Sequence, residues 1–320
     1  MRPAAPVFML LLLLLLPWAR AQEARQFAFS VVPLGVKGGL AEGNLSAYLV
    51  APAGAAAYVC LDAGSLRQGV EKAIGYGALA GPASAVLRTG IKAYLISHAH
   101  LDHVAGLLLN APDDLPKPIF GLVDCLQTIQ RDYFNGRAWP NFGSSGNPPV
   151  LGKYAFRPLS PGLETAIDHT GLSVRAFPLS HGRPYQSAAF LLRSRQSYLL
   201  YLGDTGADAV EQGHHLRAVW QQVAPLVRAG QLKAIFIEAS YPNAQPTTQL
   251  FGHLTPALLL SELAALSQLT GVAALRGLPV VVTHGKPAPG SEAAIKRQLM
   301  AANTLGLRLI FPEQGRLLQF

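Results

Sequence analysis

The string His98-Ala99-His100-Leu101-Asp102-His103 places four metal-ligating side chains in six positions, directly after the apolar run Ala93-Tyr94-Leu95-Ile96-Ser97. Imidazoles and carboxylates do not gather at the mouth of a buried strand for packing reasons, because their desolvation must be offset by hydrogen bonds or a cation. A lone His-x-His would be an ordinary solvated strand edge. The longer string lets His98 and His100 converge on one ion while Asp102 and His103 turn toward a second. A chain that carries it needs a rigid strand ending near residue 97 and further ligands from elsewhere.

Three further ligands stand in equivalent places. His181 follows Leu172-Ser173-Val174-Arg175-Ala176-Phe177-Pro178-Leu179-Ser180, Asp204 follows Leu199-Leu200-Tyr201-Leu202-Gly203, and His284 follows Pro279-Val280-Val281-Val282-Thr283. Each sits at the carboxyl end of an expected strand, where α/β proteins hold their chemistry on loops braced by a sheet. Apolar runs with Gly and Pro punctuation predict strands at 27–33, 46–51, 57–61, 93–97, 118–121, 172–178, 188–193, 197–202, 233–238, 279–283 and 307–310. Helices are expected at 103–110, 122–133, 209–229, 256–269 and 291–303, giving two β-rich halves, each followed by helices. The segment 135–149 is rich in Gly, Pro, Asn and Ser and reads as a surface loop or as a lid.

Residues 1–21 read as a signal peptide, with Arg2 before an apolar run at 8–16 and Ala19-Arg20-Ala21 as the cleavage site. The run is too short to span a bilayer, so the expectation is an exported protein, periplasmic or secreted, without a stable membrane anchor. Residues 22–320 suffice for a single large domain. The net charge of +8 is not gathered into Lys/Arg runs or aromatic-basic stripes, which argues against nucleic acid as a partner, and nothing dictates an oligomeric state. Cys60 and Cys125, the only cysteines, fall in a strand-like run and a helical run and are expected as buried free thiols. His169, His214 and His215 read as solvated surface.

With these residues in view, the chain resembles the metallo-β-lactamase superfamily and, more narrowly, the class II cyclic-nucleotide phosphodiesterases. The narrower likeness rests on Phe251-Gly252-His253-Leu254-Thr255-Pro256, with Ile237-Glu238-Ala239-Ser240-Tyr241-Pro242-Asn243 before it. Asn44-Leu45-Ser46-Ala47-Tyr48-Leu49-Val50, Leu61-Asp62-Ala63-Gly64, Trp139-Pro140-Asn141-Phe142 and Tyr185-Gln186-Ser187-Ala188-Ala189-Phe190 agree, so the likeness runs from about Phe27 to the C-terminus.

The resemblance implies an α/β fold, a four-layer αββα metallo-β-lactamase-like sandwich with the ligands at one edge between two sheets. It implies two divalent ions: His98, His100 and His181 on one, Asp102, His103 and His284 on the other, with Asp204 bridging. Nitrogen and carboxylate donors without thiolate suit Zn²⁺, with Mn²⁺ or Fe²⁺ as alternatives. Such a pair, about 3.5–4 Å apart, shares and acidifies a water, whose hydroxide attacks the phosphorus of cAMP or cGMP to leave a 5′-monophosphate. Asp102 and Asp204 then count as catalytic as well as ligating. His253 is the candidate proton donor or phosphate ligand, Glu238 a group that orients it, and Asp62 a structural carboxylate. Trp139, Asn141 and Phe142 are the expected substrate contacts, stacking on the nucleobase from a lid. A lactonase, thioesterase or β-lactamase uses the same ligands, and a catalytically dead nucleotide-binding relative would retain them.

Overall fold

Successive side chains from Ala93 to Ile96 alternate between two apolar cores: Ala93 and Leu95 face one, Tyr94 and Ile96 the other. Leu199 and Tyr201 are likewise separated from Leu200 and Leu202. Period-two alternation with both faces apolar requires a strand covered on both sides. The computed structural model, which describes residues 27–320, supplies that cover. The expected leader at 1–21 lies outside the described residues.

One seven-stranded sheet runs in the spatial order Leu318–Gln319, Phe29–Gly35, Ala47–Pro52, Tyr58–Leu61, Ile91–Leu95, Lys117–Gly121, Tyr154–Pro158. The other runs Arg308–Ile310, Pro279–Thr283, Leu232–Glu238, Ser197–Leu202, Gln186–Ser194, Leu172–Ser180, Thr165–Ile167. Both are mixed, with parallel pairing where helices cross over, as between Tyr58–Leu61 and Ile91–Leu95 or Ser197–Leu202 and Leu232–Glu238. Phe29, Tyr48, Phe190, Tyr201 and Phe236 fill the space between the sheets. Helices Arg67–Gly75, Leu101–Asn110 and Val123–Thr128 cover the outer face of the first sheet, and His215–Arg228, Pro256–Thr270 and Ser291–Ala302 that of the second. The result is the expected αββα sandwich.

The order of elements differs from the expected halves, because in each half a run of strands comes first and helices then alternate with the remaining strands rather than following them all. Strand Tyr154–Pro158 escapes sequence reading because it is a half-exposed edge ending in Pro158. Helix Arg67–Gly75 escapes because glycines weaken its helical signal. Gly69 is nevertheless required: a Cβ there would lie 2.1 Å from the Leu34 carbonyl oxygen. The helix expected over 209–229 breaks at Gln212, whose φ is 53°, and restarts at His215 with the Asp208 carboxylate accepting from the Leu216 and Arg217 amides. Thr255 caps Pro256–Thr270 through the Leu258 amide at 3.4 Å, with Pro256 in its first turn. Cys60 and Cys125 are buried and unpaired, and burial pushes both thiols up. No helix among the described residues is long and apolar enough to cross a membrane.

Candidate active site

Four strands end at one edge of the sandwich, and each delivers a polar residue within a few positions of its last hydrogen-bonded pair. Strand Ile91–Leu95 leads into His98 and His100; His100 is extended (φ −67°, ψ 150°) and starts helix Leu101–Asn110, whose first turn carries Asp102 and His103. A carboxylate in that first turn also faces the positive end of the helix dipole. His181 directly follows Leu172–Ser180, Asp204 lies two residues past Ser197–Leu202, and His284 directly follows Pro279–Thr283. His284 (φ 58°) and Asp62 (φ 52°) are non-glycine residues in left-handed backbone, a conformation retained where a site needs a side chain aimed.

Asp204 is the centre of the cluster, and its two oxygens divide the histidines. Oδ1 lies 3.3 Å from His103 Nε2 and 3.2 Å from His284 Nε2. Oδ2 lies 3.8 Å from His98 Nε2 and 3.7 Å from His181 Nε2. Asp102 Oδ2 reaches His284 Nε2 at 3.3 Å, and His100 Nδ1 reaches His181 Nε2 at 3.2 Å. The ligand atoms of His98, His100 and His181 lie within 4.8 Å of one another, as do those of Asp102, His103, Asp204 and His284. His98 Nε2 is buried without a hydrogen-bond partner among the described residues. An orphaned imidazole nitrogen facing a carboxylate and other imidazoles fits a divalent ion better than any arrangement of protons.

Two buried carboxylates behind the cluster fix which nitrogen each ring presents. Asp62 accepts from the Ser97 amide (2.7 Å), Ser97 Oγ (2.9 Å), His103 Nδ1 (2.7 Å) and the Tyr201 hydroxyl (2.6 Å). With its one hydroxyl proton on Asp62, Ser97 Oγ accepts from His98 Nδ1 at 3.0 Å. Glu238 repeats the scheme: it accepts from His253 Nδ1 (2.9 Å), the Thr205 amide (2.9 Å) and Ser240 Oγ (2.5 Å), and Ser240 Oγ in turn accepts from His284 Nδ1 at 3.1 Å. His181 Nδ1 donates to the Gly252 carbonyl at 3.0 Å. These bonds leave the Nε2 lone pairs of His98, His103, His181 and His284 directed at the cluster.

Charge reinforces the geometry. Burial and the imidazoles of His103 and His181 hold His98 well below its ordinary value, and burial with His181 pushes His100 down to about 4. Both rings are therefore neutral and ligand-competent near neutral pH. Burial opposes ionisation of Asp204, but His284 and His103 outweigh it and keep the carboxylate charged. Burial opposes positive charge at His103 too, yet Asp204 and Asp62 outweigh it and raise its pKa, a demand that a cation held by the Nε2 lone pair would meet in place of a proton.

All seven expected ligands are thus gathered at one point. His253 joins them, buried, 3.8 Å from Asp204 Oδ2 through Nδ1. The loop residues require a correction. Phe142 is buried in the outer core, its ring 5.8 Å from that of Phe134, and Trp139 packs against the same core. Asn141 is buried, its amide donating to the Ser145 and Asn147 carbonyls and its oxygen accepting from the Gly143 amide. Phe142 and Asn141 anchor 135–149 to the body and offer no free aromatic face or amide to a substrate, whereas Trp139 is half-buried and its indole N–H has no hydrogen-bond partner among the described residues. Composition marked the loop as irregular but could not tell which way its aromatics point.

Exposed aromatic surface at the cluster comes from elsewhere. Tyr185 is 58% exposed, its ring 4.9 Å from that of His100, and Phe251 is 69% exposed in left-handed backbone beside Gly252. The two loops that carry them touch, and Gly252 (φ +77°) is obligatory because a Cβ would lie 2.2 Å from the His181 carbonyl carbon. Ser97, Ser240, Tyr185 and Phe251 were not singled out from sequence, although the last three lie in the segments that carry the family likeness.

Known proteins resemble the chain at both levels. Residues 82–315 match the model of the family described as cAMP phosphodiesterases class-II. The chain is 42% identical over 313 residues to a 3′,5′-cyclic-nucleotide phosphodiesterase of Aliivibrio fischeri, covering 93% of this chain and 94% of that protein. It is 40% identical over 303 residues to a probable 3′,5′-cyclic-nucleotide phosphodiesterase of Yersinia pestis, covering 90% and 88%. Among solved structures, unliganded yeast PDE1 superimposes with a TM-score of 0.80 at 23% identity, over 92% of this chain and 100% of that one. The metallo-β-lactamase fold protein YhfI from Bacillus subtilis superimposes with a TM-score of 0.62 at 15% identity, over 91% and 99%.

Proposed function

Because the chain belongs to the class-II cAMP phosphodiesterase family, we propose that it hydrolyses 3′,5′-cyclic nucleotides, cAMP and also cGMP, to 5′-monophosphates. The observation that carries this reading is the division of Asp204 between two histidine groups with His253 beside it. His98, His100 and His181 would hold one divalent ion, Asp102, His103 and His284 a second, and Asp204 both. The nitrogen and oxygen donor set favours Zn²⁺. When bound, such ions supply Lewis acidity and acidify water.

The chain's own groups orient and protonate. Asp62 holds His103 directly and His98 through Ser97, and Glu238 holds His253 directly and His284 through Ser240. With Nδ1 committed to Glu238, His253 has Nε2 as its free end. Burial opposes its protonation, but Glu238 and Asp204 outweigh burial and raise its pKa. A proton held at His253 Nε2 is therefore available to the departing 3′ oxygen, whose alkoxide is otherwise a poor leaving group.

Export completes the proposal: Arg2, the apolar run 8–16 and Ala19-Arg20-Ala21 support cleavage near Ala21. Mass spectrometry of protein from the native cell should find Gln22 at the N-terminus, and an intact cytoplasmic Met1 form would contradict export. For the activity, purified protein is offered cyclic nucleotides, other phosphodiesters, lactones and β-lactams while its metal content is measured. Conversion of cAMP to 5′-AMP, abolished by a chelator and accompanied by about two metal equivalents, is expected. Turnover of lactones or β-lactams without phosphodiester cleavage, or activity in metal-free protein, would overturn it.

A further inference from the structure

The geometry points to Lys286 as an anion-binding residue of this site, its ammonium contacting a non-bridging oxygen of the substrate's phosphoryl group; the assignment rests on the phosphodiesterase reading above. Lys286 follows His284-Gly285 at the carboxyl end of Pro279–Thr283, and its amide donates to the Ser240 carbonyl at 3.1 Å. That bond ties its backbone to the segment whose hydroxyl orients His284. The side chain reaches back over the cluster: a Cβ on Gly39 would lie 3.6 Å from Lys286 Nζ. Gly39 itself donates its amide to Asp102 Oδ2 at 2.8 Å, and a Cβ on the neighbouring Gly38 would lie 2.2 Å from the His284 ring. The ammonium therefore stands beside the backbone that lines the Asp102 and His284 side of the site. Its charge is also felt at His253.

The neighbouring cations are already committed. Lys37 is ion-paired with Glu292, and Lys296 lies 5.4 Å above the Phe311 ring. Among the described residues Lys286 Nζ has no carboxylate within 4.0 Å and no hydrogen-bond acceptor, although Asp62, Asp102, Asp204 and Glu238 all lie in the same corner of the fold. A partly buried ammonium that leaves nearby carboxylates alone is available to an anion that arrives from solvent. Beside Gly39 it can grip a phosphoryl oxygen while His253 serves the departing one. Lysine suits this task as a mobile point charge on a flexible stem.

The test compares holoprotein of wild type, Lys286→Gln and Lys286→Arg, with metal content and melting temperature recorded for each. The probe is inorganic phosphate, followed by calorimetric binding and by competition against cAMP hydrolysis. Lys286→Gln should keep its metal and its fold, bind phosphate about 10- to 100-fold more weakly, and lose a similar factor in kcat/KM, as expected for a lost charge-assisted hydrogen bond. Lys286→Arg should recover most of the phosphate affinity. A metallated, folded Lys286→Gln protein that binds phosphate within about twofold of wild type overturns the assignment. So does equal loss in the Arg variant, which would mark Lys286 as a packing element. If wild type binds phosphate in a Lys286-dependent way but cleaves no cyclic nucleotide, the phosphodiesterase reading fails and the anion site stands.

Discussion

Asp62 and Glu238 each steady one histidine directly and a second through a serine hydroxyl, so four rings owe their tautomer to two buried carboxylates. Asp62→Ala should weaken metal binding by about 10- to 100-fold, read by titration against a chelator of known affinity. Unchanged affinity would show that packing alone sets His103 and His98. His253→Ala should instead retain its metal and lose about 10²–10⁴-fold in kcat. A cyclic nucleotide analogue with a phenolic or sulfur leaving group should restore part of that loss, because such groups need little protonation. Normal turnover of cAMP by the metallated variant would remove His253 from proton transfer. The ligand string at 98–103 and the strand-end His181, Asp204 and His284 were legible in the sequence because each is a local pattern. The Ser97 and Ser240 relays and the position of Lys286 were not, since they depend on which loops the fold brings together. Asn141 and Phe142 were misread for the same reason: residue type marks a loop amide or aromatic but not its direction.

At the scale of elements, the outer face of the first sheet closes over a buried charge. Lys117 Nζ contacts Asp114 Oδ1 at 2.7 Å and the Leu87 carbonyl at 2.7 Å, while the Tyr94 and Tyr154 hydroxyls donate to Asp114 Oδ2 at 3.0 and 2.9 Å. The network ties Ile91–Leu95, Lys117–Gly121 and Tyr154–Pro158 together at a place no hydrophobic pattern reveals. Removing one partner leaves an uncompensated buried charge, so Asp114→Ala should cost about 3–5 kcal/mol of stability, measured by denaturant unfolding. Replacing both Asp114 and Lys117 with apolar residues of similar size should cost far less. If the single and double variants unfold alike, the pair is not energetically coupled. Strands buried on both faces and helices with a clear apolar stripe were legible from periodicity. The edge strand Tyr154–Pro158 and the glycine-containing helix Arg67–Gly75 were not, because tertiary contacts stabilise them against weak local preference.

Across the whole molecule, the site joins the two sheets. His98, His100, Asp102 and His103 are carried by the first sheet, His181, Asp204 and His284 by the second, and the carboxylate at the centre faces rings from both. His103 and His284 bring their Nε2 atoms within 3.1 Å of each other beside the buried, charged Asp204, so rings from both sheets converge on one carboxylate. An ion bound only by the folded chain stabilises it by about 2.7 kcal/mol when present at a hundred times its dissociation constant. For a chain of this length that corresponds to a melting temperature about 4 °C lower per ion lost on chelation. Re-addition of Zn²⁺ or Mn²⁺ should restore it. Asp204→Ala, which removes the group common to both halves of the cluster, should melt low in either condition and respond little to the chelator. Equal melting of wild type with and without chelator, at verified metal loss, would mean that the sandwich holds its edge without the ion.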